Sequence, residues 1–224
     1  MLQLSLPGWS VAFTGREEGD LRVGARGPGE PLEEVQERLL GLLGVSAVVV
    51  ARQVHGADVV VVEGAQAGYR VGIAEADGVV TATRGLGAAV HTADCLPIAV
   101  GGERAVAMLH GGWRGLAAGI IARGVGVLRE RSGETALQAV IGPGAGGCCY
   151  ETGEEVRAQF SDYAASHGRL LDLKAVAAAQ LREAGVVAVS DVGLCTICSP
   201  DGRFYSHRRE GAACGRQGGF AWLS

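Results

Sequence analysis

The chain contains no asparagine and only one lysine, Lys174. Its positive charge is carried almost wholly by arginine, whose planar guanidinium suits anions such as phosphate. Biased genomes and thermal adaptation both remove asparagine, but the latter usually adds lysine, so this lack says nothing about temperature. Charge of one sign is also missing: 20 Lys and Arg stand against 24 Asp and Glu, for a net −4. That balance leaves no basic footprint for nucleic acid and is too mild to imply a cationic partner. No apolar run approaches a membrane span. The first residues, MLQLSLPGWSVAF, have no positive leader and are broken by Pro7 and Gly8, so the expectation is a cytoplasmic protein with no membrane association. Six cysteines without an export signal read as thiols or ligands rather than as a disulfide framework.

What is present fits an ordinary globular chain. The apolar fraction is 48% and the charged fraction 20%. A length of 224 residues supports one large core, and 1–224 is read as a single domain. Strands are expected at Ser10–Phe13, Val45–Val50, Asp58–Glu63, Ala76–Thr81, Ala88–His91, Ile98–Val100, Ala105–His110, Leu137–Ile141 and Val186–Val189, with a Gly-rich loop filling the rest of 1–30. Apolar periodicity predicts helices over Leu32–Leu43, opened by Pro31 and closed by Gly44, and over Leu116–Arg131, Glu151–Phe160 and Asp172–Ala184. A hairpin-like segment is expected at Cys198–His207, turning at Pro200-Asp201-Gly202. Strands come in runs as well as alternating with helices. The expected class is therefore α/β of the mixed α+β kind: a sandwich of mixed sheets flanked by helices.

The chemistry gathers at strand ends. Cys95 follows the strand Ala88–His91 within Thr92-Ala93-Asp94-Cys95. His110 ends the next apolar run and leads into Gly111-Gly112-Trp113-Arg114-Gly115. His55 follows Val45–Val50 in Arg52-Gln53-Val54-His55-Gly56. A thiolate with two imidazoles suits Zn²⁺, and three protein ligands leave one position open, as in catalytic sites. The same His₂Cys set is also the core of a blue-copper site, which keeps Cu²⁺ in view. Arg52 and Arg114 lie beside these residues and could hold an anion. Asp94 and Asp77 could serve as acid or base, as hydrogen-bond partners of a ligand histidine, or as plain turn carboxylates. Gly111, Gly112 and Gly115 would let backbone come close to a ligand.

Other motifs are weaker. Gly142–Gly147 runs from a strand toward a helix, but no Gly-Lys-Ser/Thr follows, so it is no phosphate loop. Cys195 and Cys198 have CxxC spacing. Their only imaginable partners, Cys148 and Cys149, are adjacent and so do not readily share one tetrahedral ion; a Cys₄ ribbon is discounted. A cytidine-type deaminase needs HxE and PCxxC, and neither occurs. Residues 203–209 form a basic, aromatic segment that reads as a strand end.

Taken in order, RQVHGADVV, ADGVVTATRGLG, TADCLPIAV, AMLHGGWRGLAAG, IGPGAGGCCYETGEEV and FYSHRREGAACGRQGGFAWL resemble the laccase-domain (YfiH-like) family. The likeness covers about Val45 to the C-terminus. It implies an α/β sandwich in which His55, Cys95 and His110 are both catalytic and metal-binding. It implies a purine nucleoside phosphorylase acting on adenosine, inosine, guanosine and methylthioadenosine with phosphate. Adenosine deaminase activity would be additional, and no organic cofactor would be needed. On that reading Arg52, Asp94 and Arg114 meet substrate, and a homodimer is a further expectation. A copper-dependent polyphenol oxidase is the alternative, with Met108 the sole internal axial candidate. Only five histidines are present, few for a multicopper enzyme. Arg22, Glu37 and His207 stand where family members often carry Asn, Asn and Tyr.

Overall fold

In the computed structural model the residues described are 1–23, 30–64 and 66–224. Residues 24–29 of the expected Gly-rich loop lie outside them. The chain first forms β1 (Leu2–Leu6), β2 (Trp9–Phe13), α1 (Leu32–Leu43), β3 (Ala47–Arg52), β4 (Val59–Val61), β5 (Gly68–Glu75), β6 (Gly78–Thr81), β7 (Leu86–Thr92), β8 (Leu96–Gly101) and β9 (Val106–Gly111). It continues through α2 (Trp113–Ala117), α3 (Ile120–Ser132), β10 (Gln138–Ile141), α4 (Glu154–Ala158), β11 (Ser166–His167), β12 (Leu170–Leu171), α5 (Leu173–Glu183), β13 (Ala188–Asp191), α6 (His207–Glu210) and β14 (Gln217–Leu223).

Two mixed six-stranded sheets face each other, in the orders β1-β2-β14-β7-β3-β5 and β13-β10-β8-β9-β6-β4. Period-two alternation on strands buried on both faces builds the layers. Trp9, Val11 and Phe13 of β2 point inward, with Val90 and Ala221, onto Val79, Ala99, Met108 and Val140 of the second sheet. Ala12 of β2 points the other way, with Val48 and Phe220, onto Val35, Leu39 and Leu43 of α1. Ile98 and Val100 of β8, with Leu109 and Ile141, pack on Ile121, Val125 and Leu128 of α3 and Val176 and Leu181 of α5. The layers run helix, sheet, sheet, helix, which is the expected mixed sandwich. Among the described residues no helix is long and apolar enough to cross a membrane.

Local chemistry sets the element ends. Gly44 closes α1 at φ 68°, its amide bonding Leu40 O at 3.0 Å. Asp172 caps α5 through its side chain, which accepts from the amides of Lys174 and Ala175 at 3.0 Å each.

Several expectations are corrected. The helix expected at Leu116–Arg131 is two helices, because Gly119 adopts φ 84° between α2 and α3. The helix expected at Glu151–Phe160 shortens to α4, which starts after Gly153. The hairpin at Cys198–His207 does not form. Arg209 donates instead to the carbonyls of Thr196 and Ile197 at 3.0 Å each and also bonds Phe204 O. Ser206 caps α6, which absorbs the basic end of the segment. Five strands lacked a sequence signal: the exposed edges β1 and β5, the two-residue β11 and β12, and the central β14, whose Gly218-Gly219 pair breaks its apolar pattern.

Gly142 ends β10 against the Phe13 ring of the opposite sheet, and a Cβ there would overlap the ring. Gly142→Ala should therefore lower stability by about 1–3 kcal/mol. Gly41→Ala, inside α1 with open space around it, should raise it by about 0.5–1 kcal/mol. Urea midpoints at unchanged m-value read both effects, and an unaltered midpoint for Gly142→Ala would show that the sheets separate freely.

Candidate metal centre

The three strand-end residues converge. One donor atom each of His55, Cys95 and His110 lies within 4.8 Å of the other two. The imidazoles of His55 and His110 meet edge to face with centroids 4.8 Å apart. His110 comes from the buried end of β9, Cys95 from the turn between β7 and β8, and His55 from the exposed loop after β3. His55 itself has φ 62°, and Asp94, before Cys95, has φ 89°. Both lie where side chains other than glycine are uncommon, a cost borne where the surroundings hold the backbone.

Asp77 supplies that hold for His55. Its fully buried carboxylate accepts the amides of Val54, His55 and Gly56 at 3.1, 2.9 and 2.7 Å. The same group pairs with His110 Nδ1 at 2.7 Å. With Nδ1 committed, Nε2 is the free donor of His110. Of the roles considered for Asp77, the hydrogen-bond partner of a histidine is the one the geometry bears out. Burial works against its charge, but His110 and the three amides prevail and hold its pKa low.

Asp94 has a different task. Its carboxylate accepts Thr196 Oγ1 at 2.6 Å, Ser206 Oγ at 3.1 Å and the Arg208 amide at 2.7 Å. Asp94 lines the cleft, as expected of a substrate contact, and through these bonds it also ties the C-terminal segment to the Cys95 turn. Glycines let the backbone close in, as expected. A Cβ on Gly112 would stand 3.2 Å from Cys95 Sγ and 3.3 Å from His55 Cδ2, and one on Gly115 would stand 2.8 Å from Gly56 O.

The cluster opens into a cleft of about 730 Å³. Arg52 and Arg114 line it, as anticipated. Arg52 also pairs with Glu75, and Arg114 lies over Trp113 at 4.4 Å. Arg22, noted only as a family departure, lines it too, as do Arg208 and Arg216, which were not singled out; all three are distant in sequence from the cluster, and the basic run at 203–209 hinted at Arg208 alone. Arg208 covers the Tyr150 ring at 5.1 Å. Gln53 exchanges bonds with the His91 backbone at 2.9 Å each way, pinning the His55 loop to β7. His91 Nε2 meets Tyr69 Oη at 2.8 Å. Burial first, then Arg216, brings the His91 pKa down to about 4, leaving the ring neutral. Of the three family departures, Arg22 and His207 line this cleft, whereas Glu37 sits on exposed α1.

The comparisons agree with this architecture. Residues 21–224 match the family model described as multi-copper polyphenol oxidoreductase laccase, and the chain belongs to that family. A protein from Xylella fastidiosa named purine nucleoside phosphorylase is 40% identical over 209 residues, 86% of this chain and 78% of that one. A Streptomyces coelicolor protein of the same name is 40% identical over 188 residues, 79% and 75% of the two chains. The solved structure of the Bacillus licheniformis hypothetical protein YfiH superposes with a TM-score of 0.83 at 25% identity, covering 96% of this chain and 93% of that one.

Without metal the cluster is a thiolate–imidazolium pair. Burial opposes the Cys95 thiolate, yet His110 and His55 bring its pKa down to about 6. Burial likewise opposes charge on His110, yet Cys95 and Asp77 raise its pKa to about 9. The thiolate is the nucleophile toward alkylating agents. In metal-free protein, modification of Cys95 by iodoacetamide, followed by peptide mapping, should rise with pH through a midpoint of about 6. His110→Gln should move that midpoint up toward the ordinary thiol value of about 8.5. An unshifted thiol in the unmutated chain would rule the pair out.

Proposed function

We propose that the chain is a metal-dependent purine nucleoside phosphorylase and that 1–224 acts as one domain. The carrying observation is a His₂Cys cluster at the floor of a cleft lined by five arginines. In this reading His55, Cys95 and His110 hold Zn²⁺. The donor set fits that ion: one thiol and two imidazoles, one of them backed by a carboxylate. Zn²⁺ bound there would supply Lewis acidity toward a purine or toward water, which covers both phosphorolysis and an adenosine deaminase side activity.

The chain's own residues supply the rest. In phosphorolysis a phosphate oxygen bonds to the ribose C1′ while the C1′–N9 bond breaks, and the purine leaves with the electron pair and takes up a proton. In this reading Arg52 and Arg114, which line the cleft, hold the phosphate, and Arg208 adds a third guanidinium. Trp113 and Tyr150 offer flat faces for a purine. Asp94 acts on Arg208 through its backbone. Adenosine, inosine, guanosine and methylthioadenosine are the proposed substrates, and the relatives' names support this reading.

The copper reading has less to support it. Met108, the axial candidate, is wholly buried between the sheets, and a Cβ on Gly219 would lie 3.3 Å from its sulfur. It does not line the cleft. Among the described residues the cluster draws on only two of the five histidines.

Purified chain given adenosine should release adenine only when phosphate is present. Cys95→Ala should lose bound metal and phosphorolysis together, and Asp77→Asn should lower metal affinity or activity by about 10–100-fold. A chromatographic assay with metal analysis reads all three. Full phosphorolysis in metal-replete Cys95→Ala would sink the site assignment. Oxygen-dependent dye oxidation with stoichiometric copper and no base release would favour the oxidase.

A further inference from the structure

A second cluster lies behind the wall of the cleft. The sulfurs of Cys148, Cys149, Cys195 and Cys198 all lie within 4.8 Å of one another. None is in a disulfide. The pair Cys148–Cys198 is 3.6 Å apart, far longer than a disulfide bond of about 2.05 Å. It is near the edge of about 3.8 Å that four sulfurs at 2.3 Å make around a tetrahedral Zn²⁺. We propose that these four cysteines form a structural tetrathiolate site for Zn²⁺, separate from the His55–Cys95–His110 cluster.

Two observations besides proximity carry it. First, the backbone is already arranged for sulfur. The Gly146 amide points at Cys195 Sγ at 3.3 Å, and a Cβ on Gly146 would lie 3.2 Å from Cys148 Sγ and 3.4 Å from Cys195 Sγ. Glycine there leaves the pocket between the sulfurs clear. Second, the adjacency that counted against Cys148 and Cys149 is resolved by a tight turn. The amides of Cys149 and Tyr150 both bond Gly146 O at 3.0 Å. Neighbours in a helical turn are rotated by about 100°, so the two thiols leave the backbone in different directions and still reach the CxxC sulfurs. A divalent ion would let all four ionise, their protons passing to solvent. Cys148 and Cys198 are exposed, so the ion has a way in.

The place suits a staple. Gly144 and Cys195 are already bridged, with the Thr196 amide on Gly144 O at 3.0 Å. Thr196, inside the CxxC, holds Asp94 at 2.6 Å. Tyr150, next to Cys149, lines the cleft. Four thiolates leave no open position, the closed arrangement of structural zinc.

The test is made on the full chain, purified without chelator. About two zinc ions per chain are expected, with about one left in Cys95→Ala and about one in the double variant Cys195→Ser/Cys198→Ser. Cobalt substitution of Cys95→Ala provides a second reading that does not depend on the double variant folding. It should give the intense sulfur-to-cobalt absorption of a tetrathiolate site, and alkylation of the four cysteines should begin only after chelation. Metal content of about one that vanishes in Cys95→Ala would overturn the proposal. So would equal alkylation with and without chelator, or recovery of a Cys148–Cys198 disulfide from fresh protein. None of these readings depends on phosphorolysis, so failure here leaves the proposed activity standing.

Discussion

The Asp77 carboxylate is the constraint on which the centre depends. It is fully buried, a place where a carboxylate persists only with partners. It has four: three consecutive amides of the His55 loop and the Nδ1 of His110. Main-chain bonds extend the same junction. The Asp77 amide bonds Asp58 O at 2.8 Å, and the His110 amide bonds Asp77 O at 2.7 Å. One residue at the start of β6 thus sets the loop after β3, the end of β9 and the ring face that His110 shows to the cleft. Removing the charge would strand several buried donors at once, which is costlier than losing a single bond.

Asp94 repeats the device on the other side of Cys95. Its three partners come from the segment 196–208, more than a hundred residues away in sequence. The two carboxylates divide the work. Asp77 fixes the histidines, and Asp94 fixes the C-terminal wall that carries Arg208 and His207. The raised pKa of His110 reflects Asp77 as well as the Cys95 thiolate, both prevailing over burial. The arginines of the cleft then face outward from a core already balanced by acid.

Much of this was legible in the sequence because it is local. His55, Cys95 and His110 each end an apolar strand, and strand ends are where a rigid scaffold presents side chains. The layered sandwich followed from runs of apolar strands between periodic helices. The parts that could not be read are those fixed by long-range contact. Arg208 and Arg216 reach the cleft only because the expected hairpin gives way to a capped turn of helix. Gln53 and Tyr69 matter because of their bonds to His91, 38 and 22 residues on. The four cysteines were discounted on adjacency alone, a rule that assumes an extended backbone, whereas the turn on Gly146 O takes them out of it.

The two clusters are mechanically joined, and that constrains how the cleft can move. From Cys95 the path runs through Asp94 to Thr196, which lies between Cys195 and Cys198. It returns through Cys149 to Tyr150, whose ring carries Arg208. The Arg208 amide closes the ring on Asp94 at 2.7 Å. The links are hydrogen bonds and peptide bonds, apart from the sulfur contacts of the second cluster and the Arg208 guanidinium over the Tyr150 ring at 5.1 Å. The Gly142–Tyr150 loop and Arg208 thus share one wall of the cleft, tied to Asp94. The opposite side is more open: the His55 loop is exposed and the edge strand β5 carries Val71 and Ile73 at 37% and 40% exposure. Under the proposed activity, which brings a nucleoside and an anion to one centre, a tied wall would keep the reacting groups aligned and a lightly packed edge would let the substrates pass.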